Sequence, residues 1–139
     1  MIVLDTNVVS ELMRENSAPE VRGWFFAQSS SDVYLSAVTE AELRYGIAIM
    51  PAGRRRDTLA IALEGFVEGD LEGRVLSFDT IAAKAYATIG AERRAAGRPI
   101  GHADAQIAAI ARSQGASVAT RDRGGFEGTG IDLINPWAD

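Results

Sequence analysis

The chain has 139 residues, a formal net charge of −5 and no cysteine. This length predicts a single domain over 1–139, and the lack of thiols excludes disulfides, thiolate nucleophiles and zinc–sulfur sites. No apolar stretch approaches the roughly 18 residues of a membrane span, and the apolar run at the start is too short for a signal peptide, so we expect a cytoplasmic protein.

Short apolar runs alternate with longer helical patterns along the chain. The runs typical of strands are 2–4, 33–35, 75–78, 118–120 and 133–134. Helices are expected over 19–28, 38–49, 53–68, 79–97 and 104–114, with glycine or proline near the end of most of them. The alternation predicts parallel βαβ units, and therefore a three-layer α/β/α domain with a central, mainly parallel five-stranded sheet.

Three polar residues, Asp5, Thr6 and Asn7, directly follow the first strand. An acid at the carboxyl end of a buried strand lies at the rim where open α/β sheets bind ligands. Aspartate also commonly caps the helix after a strand. Because three polar residues occur in succession, we interpret Asp5 as functional and expect Thr6 or Asn7 to cap the helix. The Asn7 amide both donates and accepts hydrogen bonds, so it suits the orientation of a metal-bound water.

Glu42 interrupts an apolar stripe on the helix predicted from 38 to 49. The other members of this stripe are Val38, Tyr45 and Ile49. An unpaired carboxylate on a buried face is costly, so we predict a functional role for Glu42. The alternative is a capping box, since Thr39 and Glu42 match S/T-x-x-E if the helix begins at Thr39. Glu40 pairs with Arg44 at i,i+4 and is not a candidate.

Two further acids lie at the ends of predicted elements. Asp104 shares an apolar helical face with Ile100, Ile107 and Ala111, and the alternative role is N-capping of its helix. Asp122 follows the strand 118–120, and the alternative is a turn-forming aspartate before glycines. We interpret His102 as a rim or packing residue and not as a base. Five other aspartates look like loop or surface acids: Asp32, Asp57, Asp70, Asp132 and Asp139.

A parallel sheet would gather Asp5, Glu42, Asp104 and Asp122 at the carboxyl edge of its strands. Clustered carboxylates destabilise a fold unless a cation neutralises them, and oxygen-only ligands select Mg²⁺ or Mn²⁺. Of the 14 basic residues only Lys84 is lysine, and arginine suits bidentate phosphate contacts. Arginines cluster at three places: Arg54–Arg56, Arg93 and Arg94 with Arg98, and Arg121 with Arg123. Phosphate contacts and ordinary solvated helix faces explain these clusters equally well.

Six stretches resemble the PIN-domain ribonucleases, in particular the FitB- and VapC-type toxins of toxin–antitoxin operons. In order, they are MIVLDTNVVSELMR, VYLSAVTEAELRYG, RVLSFD, DAQIAA, VATRDRGGF and NPW. They span nearly the whole chain at the family's usual spacing, so together they are specific. The resemblance implies an acidic quartet of Asp5, Glu42, Asp104 and Asp122. It implies polar accessory positions at Thr6, Asn7 and Thr120.

The resemblance further implies Mg²⁺- or Mn²⁺-dependent endonucleolytic hydrolysis of RNA by a metal-activated water, leaving 3′-hydroxyl and 5′-phosphate ends. Asp5, Asp104 and Asp122 would ligate the ion directly or through water, and Glu42 would hold a metal-bound water, bind a second ion or act as base. A homodimer, and an antitoxin whose tail covers the acidic groove, are also implied. Many toxins of the family carry Asn at the position of Asp122 and Asp at that of Gly125; the FitB-like branch resembles the present pattern.

Two other classes remain as alternatives. A receiver-like signalling domain would accept a phosphoryl group on Asp79, but the second acid beside Asp5 and a lysine after the last strand are missing. A haloacid-dehalogenase-like phosphatase begins with Asp-x-Asp, whereas Asn7 is the second residue here and Lys84 is the only lysine available. A PIN-like protein that binds RNA without cutting it is disfavoured by the complete quartet.

Overall fold

A five-stranded, all-parallel sheet forms the centre of the computed structural model, which describes residues 1–138. The strands are β1 (Ile2–Leu4), β2 (Val33–Ser36), β3 (Val75–Leu76), β4 (Ser117–Ala119) and β5 (Leu133–Ile134), in the order β3-β2-β1-β4-β5. Leu4 pairs with Leu35 on one side and with Ala119 on the other, so the carboxyl ends of β1, β2 and β4 are level. The predicted sheet is confirmed; the predicted surface acid Asp139 lies outside the described residues.

Seven α-helices connect and cover the strands within residues 1–138. They are α1 (Thr6–Leu12), α2 (Pro19–Ala27), α3 (Ala37–Ala48), α4 (Arg54–Glu64), α5 (Thr80–Ala95), α6 (His102–Ser113) and α7 (Arg123–Phe126). A π-helical segment, Gly65–Asp70, continues α4. In the described part of the chain no helix is long and apolar enough to cross a membrane.

Apolar side chains on the two faces of the sheet build two cores and thereby three layers. Ile2 and Leu4 pack with α1, α2 and the π-helical segment, where Phe66 lies 5.7 Å from Phe25 between ring centres. Val3 points to the opposite face and packs with residues of α5 and α6. This alternation follows from the pleat of a strand, which directs successive side chains to opposite faces. The predicted α/β/α layering is confirmed.

Two helix starts differ from the predicted ones and affect the candidate acids. Helix α3 begins at Ala37, because Ser36 acts as its N-cap and accepts a hydrogen bond from the Thr39 amide at 3.0 Å. Helix α6 begins at His102 with Gly101 as its N-cap, so Asp104 lies inside the first turn. Both starts move the two acids away from capping positions.

Candidate active site

Asp5 is buried directly behind the carboxyl end of β1. It is 4% exposed, its Oδ1 accepts a hydrogen bond from the Val8 amide (2.9 Å), and its Oδ2 accepts one from the Thr120 hydroxyl (2.5 Å). Asp5 is therefore itself the N-cap of α1, and the expectation that Thr6 or Asn7 caps this helix is wrong. One carboxylate oxygen thus accepts from a free amide in the first turn of α1, and the other is fixed by the Thr120 hydroxyl.

Thr120 connects two of the candidate acids. Its hydroxyl donates to Asp5 and accepts a hydrogen bond from the Asp122 amide at 3.0 Å. The residue is fully buried after β4, so the strand pairing between β1 and β4 fixes where this bridge lies. Thr120, one of the predicted polar accessory positions, thus lies between Asp5 and Asp122.

Asp104 and Asp122 converge on Gly125. A Cβ atom built on Gly125 would lie 2.6 Å from Asp122 Oδ2 and 3.4 Å from Asp104 Oδ2. Asp122 also caps α7, since its Oδ1 accepts a hydrogen bond from the Gly125 amide at 3.0 Å, so its turn-forming role coexists with its place in the cluster. Asp104 is not an N-cap, and that alternative is wrong. An acid at position 125 and Asp122 would exclude each other in this arrangement.

Glu42 is held by a row of hydroxyl groups. The Thr6 hydroxyl donates to Glu42 Oε1 at 2.6 Å and lies 3.1 Å from the Thr39 hydroxyl, which accepts a hydrogen bond from Ser36 Oγ at 3.2 Å. Because the Thr6 proton is engaged by Glu42, Thr39 donates to Thr6. Sequence reasoning missed the contacts of Ser36 and Thr39 with this row. The Thr39 hydroxyl lies one helical turn before Glu42, and that spacing could have indicated its role. The capping-box role of Glu42 is wrong, because α3 begins before Thr39.

Two of the three apolar residues in the stripe used to select Glu42 are exposed, and only Val38 packs against the core. Glu42 is exposed, and so are Tyr45 at 68% and Ile49 at 65%. Helix α3 instead turns Thr39 and Leu43 inward, one residue further along the chain than predicted. The prediction that Glu42 lies on a buried apolar face is therefore wrong, and its hydrogen bond from Thr6 is what places Glu42 at the site. The predicted surface pair of Glu40 and Arg44 is confirmed at 2.7 Å.

The acids influence one another electrostatically. Burial raises the pKa of Asp5 and outweighs the hydrogen bonds that its carboxylate accepts, of which the bond from Thr120 is the strongest. Burial also raises the pKa of Asp104, and the negative charges of Asp122, Asp5 and Glu42 raise it further, in that order. Asp104 thus lies within Coulombic range of the other three acids, which joins the four carboxylates into one acidic cluster.

The donor set of the acidic cluster fits a hard divalent cation. Its ligating atoms are all oxygen, and the space at Gly125 would be closed by a Cβ atom. Among residues 1–138, no three Asp, Glu or His side chains come together closely enough to hold one ion between them. Mg²⁺ commonly binds proteins through one or two carboxylates and keeps several waters. The pair of Asp104 and Asp122 meets that requirement.

Arg93 on α5 fastens the loop that carries Asp122. Its side chain is buried, with Nε donating to the Arg98 carbonyl and Nη1 to the Glu127 carbonyl, both at 2.6 Å, and a longer bond to the Gly125 carbonyl. The interpretation of Arg93 as part of a solvated arginine cluster is wrong. Sequence reasoning had no signal for this role, because all of its acceptors are backbone carbonyls and those in the Asp122 loop are more than thirty residues away.

His102 lies on the exposed rim beside the cluster. Its ring stacks on Tyr86 with centroids 6.4 Å apart, and its Nδ1 is 2.7 Å from the Tyr86 hydroxyl. Both contacts agree with a rim or packing residue.

Asp79 follows the edge strand β3, separated from β1 by β2, and its Oδ1 caps α5 through the Ala82 amide. This placement disfavours the receiver-like alternative, and Lys84 is exposed on α5, which disfavours the phosphatase.

Comparison with known proteins identifies the fold. The model of the PIN domain family matches residues 2–131. The chain belongs to the PIN domain family. This PIN domain is 51% identical to "VapC ribonuclease Y4jK" of Sinorhizobium fredii over 137 residues, which cover 99% of this chain and 98% of the relative. It is 41% identical to "Toxin FitB" of Neisseria gonorrhoeae over 139 residues, with 100% of both chains covered.

The same relationship holds in three dimensions. The PIN domain superposes on the crystal structure of FitAcB from Neisseria gonorrhoeae with a TM-score of 0.93 and 40% sequence identity, covering 100% of both chains. The resemblance inferred from the six sequence stretches is thereby confirmed, as is the three-layer fold with its parallel sheet.

Proposed function

We propose that this PIN domain is a divalent-metal-dependent endoribonuclease that acts as the toxin of a type II toxin–antitoxin pair. The proposal depends above all on one observation: Asp104 and Asp122 converge on Gly125 at the carboxyl edge of the sheet, and Thr120 joins Asp122 to Asp5. The relatives of this PIN domain include one protein named as a ribonuclease and one named as a toxin, which supports RNA as the substrate.

In this proposal each acid has a defined task. Asp104 and Asp122 would hold Mg²⁺ or Mn²⁺ directly, and Asp5 would contribute through a metal-bound water. When bound, such an ion lowers the pKa of water and polarises a phosphoryl oxygen. Thr120 fixes the Asp5 carboxylate and the backbone of Asp122, so it would help to keep both residues in place for the ion.

Glu42 lies on the solvent side of the acidic cluster and is fixed by Thr6. Its exposed carboxylate is available to accept a proton from the attacking water or to bind a second ion. The hydroxyl row from Ser36 through Thr39 ends on this carboxylate and limits its rotation. Glu42 is thus oriented before substrate binds, which favours rapid proton transfer.

The activity is tested by metal removal and restoration. Purified protein is expected to cut bulk bacterial RNA with Mg²⁺ or Mn²⁺, to stop in EDTA, and to resume when metal is restored, because the site is all oxygen. Undiminished cleavage in EDTA would overturn the metal-dependent mechanism. Asp132→Asn, which alters an exposed acid outside the cluster, serves as the matched control and should cut RNA like the parent.

The toxin role implies protein partners of complementary charge. We propose a homodimer, and an antitoxin whose basic tail covers the acidic cluster and neutralises its carboxylates in place of the metal. Expression of the chain alone should arrest growth of a bacterial host, and expression of the Asp104→Asn variant at the same level should not. Growth arrest by both proteins would mean that toxicity does not come from the acidic cluster.

A further inference from the structure

A polar cleft of about 280 Å³ opens beside the acidic cluster, between α1 and the carboxyl-terminal segment. It is lined by Asn7, Ser10, Glu11, Arg14, Arg121 and Trp137. Asn7 lies two residues after Asp5, and Arg121 lies between Thr120 and Asp122. The cleft therefore adjoins the cluster on both chain segments that build it, although none of its lining residues is a member of the quartet.

Arg121 is oriented in this cleft by an aromatic ring. Its guanidinium carbon lies 5.0 Å from the ring centre of Trp137, which is within the range of a cation–π contact. The Trp137 ring packs against the core on the α1 side of the sheet, and its backbone amide donates to Asn135 Oδ1 at 3.0 Å. The ring is thus anchored, and the guanidinium resting on it loses little further freedom when it binds a ligand.

Within residues 1–138 the charge of Arg121 is not neutralised by an acid. No carboxylate in residues 1–138 forms an ion pair with it. Arg14, the other cation of the cleft, lies 3.6 Å from Glu11, whose second oxygen accepts a hydrogen bond from the Ala18 amide at 3.1 Å. As far as the described residues go, the cleft therefore presents one oriented cation without an ion-pair partner, together with the neutral side chains of Asn7 and Ser10, which can donate hydrogen bonds.

We infer that this cleft binds a phosphodiester group of the RNA strand beside the bond to be cut, with Arg121 as its main ligand and Asn7 and Ser10 as additional donors. The inference rests on the proposed ribonuclease function. An acidic cluster repels a polyanion, so the strand has to be held at a cationic point next to it. A planar guanidinium fixed at one face offers paired N–H donors that match phosphate oxygens.

RNA affinity, read separately from cleavage, tests the inference. Fluorescently labelled bulk tRNA is titrated in the Asp104→Asn background, in which the RNA should remain intact. Arg121→Ala is expected to weaken binding by about tenfold at low salt, the scale of one lost charge-assisted hydrogen bond. It should also reduce the slope of log K against log salt concentration, where K is the RNA association constant, by about one, as expected for the loss of one phosphate contact. Arg123→Ala removes the same charge two residues away, outside the cleft lining, and should have a clearly smaller effect.

Trp137 gives a second, local measurement. The chain has two tryptophans, so their indole N–H signals are readily separated by NMR. On titration of the parent protein with uridine 5′-monophosphate, the signal of Trp137 should shift, while that of Trp24 on α2 should not. Trp137→Leu should weaken tRNA binding in the same direction as Arg121→Ala, with a smaller effect, because the charge remains but its orientation is lost.

Distinct results separate the inference from the proposed function. Equal tRNA affinities for Arg121→Ala and Arg123→Ala, or an unmoved Trp137 signal, would overturn the phosphodiester site even if the parent cuts RNA. A parent protein that cuts no RNA would contradict the proposed function, whereas the affinity and NMR results would still decide on the cleft. Thermal melts of each variant within about 2 °C of the parent would show that the losses do not reflect unfolding.

Discussion

Replacement of Asp104 by asparagine should stabilise the metal-free protein while it abolishes cleavage. The negative charges of Asp122, Asp5 and Glu42 repel Asp104, and asparagine removes that repulsion at nearly the same volume. Two unit charges about 6 Å apart repel by roughly 3 kcal/mol at an effective dielectric constant of about 20. Solvent exposure of the pair reduces the gain to about 1 kcal/mol. For a domain of this size that corresponds to a rise in Tm of roughly 3–5 °C.

The pH dependence of this effect has a definite sign. The pKa of Asp104 is raised above its ordinary value of 3.8, so the folded protein binds this proton more tightly than the unfolded chain. Stability conferred by the protonated form is therefore lost as pH rises from 3.8 through the raised pKa. Asparagine does not titrate. The Tm advantage of Asp104→Asn should be largest at neutral pH and disappear in acid.

The assay is a set of thermal melts with and without Mn²⁺. Saturating metal should stabilise the parent by about 2.7 kcal/mol at a hundredfold excess over Kd, and Asp104→Asn should lose most of that shift. Asp57→Asn is the matched control, since Asp57 is an exposed acid in the first turn of α4, whose N-cap is also glycine. It should cost only a few tenths of a kcal/mol and keep the metal shift. A less stable Asp104→Asn variant with an unchanged metal shift would refute the reasoning.

Three further substitutions test other parts of the site. Glu42→Gln should lower the cleavage rate by roughly a hundredfold or more, the scale of a lost catalytic electrostatic group, whereas Glu40→Gln should be close to the parent; equal rates would remove Glu42 from the site. Arg93→Ala should cost roughly 1–3 kcal/mol in urea unfolding because several partly buried carbonyls lose their donor, whereas Arg94→Ala, on the exposed side of α5, should be nearly neutral. Gly125→Ala should impair metal binding in calorimetry, because its Cβ would meet Asp122 Oδ2 at 2.6 Å; parental affinity would mean that the loop adjusts freely.

The sheet and most helices followed from local patterns in the sequence. Runs such as 2–4 and 33–35 are apolar on both faces because they lie between two layers of helices, and this is a property that the residues themselves display. Gly97 and Gly115, which adopt positive φ angles of 73° and 66°, mark the ends of α5 and α6 as expected. The strand order was not predictable, because pairing of β1 with β4 depends on contacts more than a hundred residues apart.

The four candidate acids were selected from sequence patterns, and the structure does not support every reason for the selection. Asp5 and Asp122 were selected as strand ends, and the structure gives both of them an additional capping role. Glu42 was selected as a buried acid, yet α3 is rotated so that its neighbours Tyr45 and Ile49 are exposed. Successive residues of a helix are about 100° apart, so the face through Thr39 and Leu43 adjoins the predicted one, and periodicity in a short helix does not decide between the two.

The most direct test of the central claim is the chemistry of the RNA ends that the protein produces. Bulk bacterial RNA is incubated with the parent or with Asp104→Asn in Mn²⁺ or in EDTA, and newly formed ends are captured by ligation. We expect 5′-phosphate and 3′-hydroxyl ends from the parent with Mn²⁺ alone. New ends bearing a 2′,3′-cyclic phosphate, or the same ends from Asp104→Asn, would contradict hydrolysis by water at this acidic cluster.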